Sequence, residues 1–418
     1  MTKKRRKRKK YKIKNIMLLI IIMLFIIYFI NLVSGKINLT KDNHDTNKKI
    51  SYLNKIYNND DIDKKLQDKI IEYMDIYFKS MTTLREIDMT TLFSNDAYEE
   101  AYINQTAIST LVNIRKLEIN DMKIGNAKYD ITFKEISKED NKITVTFLEN
   151  DYLHFNFMKD IESKAYDIEN TIIFNESYEI LSIRKIQDFY VMITNKYELG
   201  NNKSNAKEIL DEIKNNHIND YKKQIKILKS QKKKYENKED KPSKKCDNLY
   251  NRKEALAYAK KYVKDKNKNW DDYSDIGGNC QNYASQVLYA GKIPMDTIGT
   301  SQWKYYGSEL NEGNSKTGRS SSWTAAPYFY DYAKNNSGYG LCAKADVNPY
   351  YAKAGDIGQV GYDEKYIHSV VIVGNIKNDN KILDLLLNSN SGNLENYPLS
   401  AYVYPYKRII KIFGWNNK

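Results

Sequence analysis

The chain has 418 residues, of which 41% are hydrophobic, and a formal net charge of +14 at pH 7. That length allows two or three domains. Residues 1–14 carry ten Lys or Arg and residues 222–245 carry +8, so the rest of the chain sums to −4; basicity confined to two segments argues against nucleic acid as a partner.

Residues 16–30, "IMLLIIIMLFIIYFI", are uninterrupted apolar, and the stretch reaches Val33. At about 1.5 Å per residue a helix of this length covers roughly 27 Å, close to the hydrocarbon core of a bilayer. The basic tail at 1–14 precedes it, which predicts a transmembrane signal-anchor over 15–34 with a cytoplasmic N-terminus. The implied location is the cell membrane, single-pass, with the bulk of the chain extracellular. Cleavage near "VSG" (33–35) is the alternative and gives a secreted protein. Residues 35–59 read as a stalk.

From Asp61 to Phe78, Ile62, Leu66, Ile70, Met74 and Tyr77 recur at helical spacing, which predicts a helix with one buried face. A second helix is expected within 97–119. The period then changes to two over 128–136, 142–150, 152–157, 170–175 and 178–186, the pattern of strands. Residues 60–200 are therefore expected to form an α+β domain. By element order it resembles the cone-shaped fold of nuclear-transport-factor-like domains. His154 lies there on a strand with no acid or Cys patterned around it and reads as structural. Residues 203–245 read as a basic helical linker that Pro242 ends, a solvated spacer.

The last unit, 250–418, opens with a helix over 251–265. "GGNCQNYASQ" (277–286) then sets Cys280 after two glycines and an N-cap, Asn279, at the first turn of a helix that Gly291 stops. Unpaired N–H groups and the macrodipole at that turn favour a thiolate and provide donors for an oxyanion. A cysteine nucleophile needs a base. His368 is the one histidine after residue 250. It sits in "KYIHSVVIVGNI" (365–376), a strand, and a turn at "KNDN" pairs it with "KILDLLLNSNS" (381–391), which brings an Asn near the imidazole. Cysteine at a helix start, histidine on a strand and an amide on the next strand is the order of papain-like thiol enzymes. Asp356, after Gly355 at a strand start, reads as a turn cap. A His-based zinc site is disfavoured by the single histidine, and no cofactor or metal is expected. Three cysteines is an odd count, so one stays a thiol or pairs with another molecule. Cys246–Cys342 with Cys280 outside it is one arrangement, and the sequence does not select it.

Residues 250–418 resemble the putative amidase domain family of Gram-positive bacteria, relatives of the papain-like CHAP wall hydrolases. The resemblance rests on Asn251–Arg252, "NCQNYASQVLYAGKIPM", "WKYY" (303–306), "SSSWTAA" (320–326), Gly355–Asp356 and "HSVVIV". It implies a papain-like cysteine hydrolase domain acting on a peptidoglycan or other cell-wall peptide amide. Cys280 is then the nucleophile, His368 the base and Asn390 the residue that orients it. Asn388 and Asn393 are alternatives for the third role, because the family's His-Thr-x-Asp falls on Asn390 to Asn393 here. Asn282, Trp303 and Trp323 are candidates for lining a substrate groove. Acyl transfer by the same residues, or a non-catalytic wall-binding module retaining the fold, are the competing readings.

Overall fold

The computed structural model describes residues 52–58, 62–200, 205–298, 301–379 and 381–417. Residues 1–51 lie outside the described residues.

Strand β1 (Tyr52–Tyr57) pairs in parallel with β2 (Ile124–Glu139), whereas β3 (Lys142–Phe155), β4 (Ser163–Asn175) and β5 (Ile180–Lys185) follow antiparallel. Burial along β3 alternates at every residue, so one face meets α1 (Lys64–Thr83) and α2 (Tyr98–Leu117) while the other stays half-wet. The two strands expected at 142–150 and 152–157 are this one strand, continued through a register shift at Glu149/Asp151. Next come α3 (Asp188–Gly200) and α4 (Ala206–Glu236). The expected solvated spacer is α4, and it is not solvated along its length. Leu210, His217, Tyr221 and Ile225 bury one stripe, with His217 Nε2 3.0 Å from the Val403 carbonyl. Its lysines occupy the opposite side, as amphipathic spacing requires.

The C-terminal half contributes β6 (Asn248–Leu249), α5 (Arg252–Lys261), α6 (Cys280–Ala290), β7 (Tyr305–Tyr306), β8 (Gly318–Arg319), α7 (Ser321–Thr324) and α8 (Ala326–Asn335). The strands β9 (Gly340–Val347), β10 (Ile357–Tyr362), β11 (Lys365–Asn378), β12 (Lys381–Ser389), β13 (Leu394–Pro398) and β14 (Tyr406–Asn416) complete it. They do not form a separate sheet. The order β1-β2-β3-β4-β13-β12-β11-β10-β14-β6 is a single 12-stranded sheet, with β5 on β4 and β9 on β14. The junction pairs Leu394 with Ala165 and Glu395 with Lys164, reinforced by Ser163 Oγ donating to the Asn396 carbonyl at 2.9 Å.

This corrects the expected architecture of two α+β domains behind a transmembrane helix: the described body is mixed α/β, built on one large sheet. Periodicity identifies strands but says nothing of which edge they complete, and here β13 covers the otherwise open start of β4. The anchor expected over 15–34 lies outside the described residues, and no helix among the described residues is long and apolar enough to cross a membrane. The single-pass membrane location is withdrawn with it.

One core runs through both halves, with Phe155 and Tyr397 edge-on at 5.9 Å across the junction. A second, around Trp303, Trp323 and Phe329, lies under α6. Cys246 and Cys342 form a disulfide that ties the segment before β6 to β9.

Asp384 on β12 is fully buried, and burial raises its carboxyl from the ordinary 3.8 to about 6. A raised folded-state value means that the fold holds the proton more tightly than the unfolded chain. That stabilisation is complete below about pH 4 and is lost as pH rises through 6. Asp384→Asn is therefore expected to be more stable than wild type at pH 7–8, by up to about 2–3 kcal/mol, and indistinguishable from it near pH 4. Urea unfolding at both pH values measures this.

Candidate active site

Two glycines in left-handed conformation, Gly277 (φ 118°) and Gly278 (φ 100°), reverse the chain ahead of α6. Asn279 precedes the helix but does not cap it with its side chain. Its Nδ2 donates to Asn390 Oδ1 at 2.7 Å, its Oδ1 accepts from Asn282 Nδ2 at 2.8 Å, and its backbone N–H donates to Ser391 Oγ at 2.9 Å. The start of α6 is thus pinned to the loop that follows β12, and the first-turn amides of the helix carry no side-chain cap. Cys280 occupies that turn, 7% exposed, and is the thiol among the three cysteines.

Cys280 lines a cleft of about 400 Å³ with Gly278, Arg319, Ser321, Ala326 and Ile367. Arg319 is held in place by Thr324 Oγ1 at 2.7 Å and the Ser308 carbonyl at 2.9 Å, with its guanidinium 4.8 Å from the Tyr273 ring centre. Among the described residues, no carboxylate lines this cleft.

The segment carrying His368 runs alongside. Ile367 lines the cleft, and Ser369 Oγ donates to Gln281 Oε1 at 2.6 Å, so the chain neighbours of Cys280 and His368 are directly bonded. Gln359 Nε2 supports Ser369 at 3.2 Å, and Arg408 in turn holds Gln359 Oε1 at 2.6 Å. A register shift between β10 and β11 falls beside His368. By strand alternation, His368 shares the side of Val370 and Ile372 and lies opposite Ser369. Its ring meets Tyr402 edge-on at 5.7 Å and Tyr404 at 6.4 Å.

His368 Nε2 is 2.9 Å from Ser389 Oγ. Ser389 has one hydroxyl proton, which it donates to the Ser391 carbonyl at 2.5 Å. Nε2 must then be the donor, and in the neutral ring the lone pair resides on Nδ1. The residue that fixes the tautomer is Ser389, which the sequence reading missed. Asn390, the expected orienting residue, does not bond His368. It binds Asn279 and, through Nδ2, the Tyr262 carbonyl at 2.9 Å. Asn388 Oδ1 accepts the Asn396 N–H at 2.9 Å, and Asn393 Nδ2 donates to the Tyr166 carbonyl at 3.3 Å. The register decides it: Val371 pairs with Asn388, so Ser389, and neither Asn388 nor Asn390, falls on the side that carries His368.

Three expected groove residues are internal. Asn282, Trp303 and Trp323 are all 0% exposed. Trp323 Nε1 donates to Asn282 Oδ1 at 2.9 Å and Trp303 Nε1 to Ser285 Oγ at 3.0 Å, so both indoles satisfy their polar atom inside the fold. The two rings lie 4.7 Å apart, beneath the cleft wall rather than in it. His154 is half-buried on β3, away from this site. Among the described residues, no group of three or more His, Cys, Asp or Glu is placed to hold a metal ion.

Residues 249–414 match a family model described as "Putative amidase domain". The match places this segment among amidase-like hydrolases. No curated protein and no solved structure matches the chain.

Proposed function

We propose, on the premise of that family match, that the C-terminal half is a cysteine-dependent amidase acting on a peptide amide. The stem peptide of peptidoglycan is the substrate class that the wall-hydrolase resemblance implies. The observation that carries the reading is a thiol at an uncapped helix start, opening on a cleft. Cys280 Sγ attacks the amide carbonyl and its proton passes to His368 Nδ1, directly or through one water. First-turn amides of α6 hold the oxyanion. The imidazolium returns the proton to the leaving amine, a thioester remains on Cys280, and water hydrolyses it through the same base. Ser389 keeps Nε2 protonated throughout. Arg319, the cationic side chain on a cleft wall without acids, suits a substrate carboxylate.

The purified chain, with both halves retained because they share a sheet, is expected to release new amines from muropeptides, and His368→Ala to release none. Ser389→Ala is expected to lower kcat by about 10- to 100-fold and to broaden the pH profile, because either nitrogen can then carry the proton. An unchanged pH profile for Ser389→Ala removes it from the mechanism.

One observation favours a second reading. The imidazole is packed against Tyr402 and Tyr404, on the side of its strand away from Ser369. That arrangement suits a module that binds wall peptide without cutting it. Retained binding of muropeptides with no amine released selects this reading.

A further inference from the structure

A second cavity, of about 40 Å³, lies between the two halves of the sheet. One water requires roughly 10–15 Å³ by this measure, so the space suits a small organic group. Arg115 on α2 lines it and is 3% exposed, yet its Nε and Nη1 have no hydrogen-bond partner. Two neighbouring acids are committed elsewhere. Glu118 accepts the Tyr221 hydroxyl at 2.5 Å, and both oxygens of Glu149 accept from Lys185 at 2.9 Å. Burial, with Glu149 beside it, holds the Asp151 carboxyl well above the ordinary range. A guanidinium buried with orphaned donors and no ion pair among the described residues is costly. The rest of the lining is apolar or aromatic, including Leu111, Leu394, Tyr397 and Val403, and exposed Gly392 and half-buried Gln187 mark an opening.

We propose that this cavity binds a small monocarboxylate, its charge on Arg115 and its short alkyl part against Leu111, Leu394 and Val403. The chemistry follows from the lining: one cation answers one negative charge, and the apolar walls disfavour a dianion. Tyr402 is shared between this cavity and the ring contact of His368, so the ligand lies one side chain from the amidase residues. Binding does not depend on the amidase reading, and its failure leaves that reading intact.

Isothermal titration of the purified chain with propionate, inorganic phosphate and ethylammonium tests this. Propionate is expected to saturate with a millimolar Kd, while phosphate and ethylammonium do not bind. Arg115→Gln is expected to weaken propionate by at least about tenfold. Ala401→Leu, which fills the cavity and leaves Arg115 in place, should do the same, and it decides the matter should Arg115→Gln fail to fold. No saturation by propionate to about 100 mM, phosphate binding tighter than propionate, or a folded variant that binds like wild type overturns the proposal.

Discussion

Cys280→Ala is expected to lower amide hydrolysis by at least about 10⁴-fold while leaving the fold intact. The size of the loss follows from the role. A nucleophile makes the covalent bond of the intermediate, and binding and oxyanion contacts alone supply only a residual rate. The intact fold follows from the packing. Cys280 is small, 7% exposed, and stands at a helix start whose position is set by Asn279, Asn390 and Ser391. Losing one sulfur there removes little buried area, so the expected stability change stays within about 1 kcal/mol. Amine release from muropeptides, with urea unfolding of the same samples, measures both. A variant within tenfold of wild-type activity removes Cys280 from the chemistry, whatever its stability.

The local elements around this site were legible because they rest on short-range patterns. Gly277–Gly278 and Asn279 marked the turn before α6, and short apolar runs on either side of a polar turn marked β11 and β12. Pairing across the sheet was not legible. Residues 164–165 and 394–395 lie more than 200 positions apart, and nothing in either segment names the other. The contact expected between Asn390 and the imidazole is missing for a related reason. Counting along a motif located Asn390, but a shift of one residue on a strand reverses its face, and Ser389 meets the imidazole instead. Trp303 and Trp323 were ambiguous because an indole lines a groove or fills a core with equal ease. Their internal acceptors, Ser285 and Asn282, decided it, and both are polar residues on the buried face of α6. The helix α4 was misread from its lysines. Charge dominates its composition, whereas six buried positions dominate its packing.

Asp356→Ala is expected to destabilise the protein by about 3–5 kcal/mol, the largest effect for a residue outside the cleft. The carboxylate is 0% exposed and joins elements distant in the chain. Its Oδ1 accepts from Arg252 Nη2 at 2.8 Å and from the Ile412 N–H at 3.0 Å, and its Oδ2 accepts from the Lys353 N–H at 2.8 Å and from Lys411 Nζ at 3.5 Å. The helix α5, the turn before β10 and the strand β14 therefore meet on one side chain. Removing it leaves two backbone donors unpartnered and two cations without their countercharge. Burial already pushes Lys411 below its ordinary value, and Asp356 opposes that shift. Asp356→Asn keeps an acceptor for one of the two backbone N–H groups, which sit on different oxygens, but not the charge, so its loss should be smaller, about 1–3 kcal/mol. Neither variant touches the cleft, so amine release per folded molecule should equal wild type. Activity that falls further than the folded fraction would instead give this carboxylate a part in the reaction, and the turn-cap reading would fail.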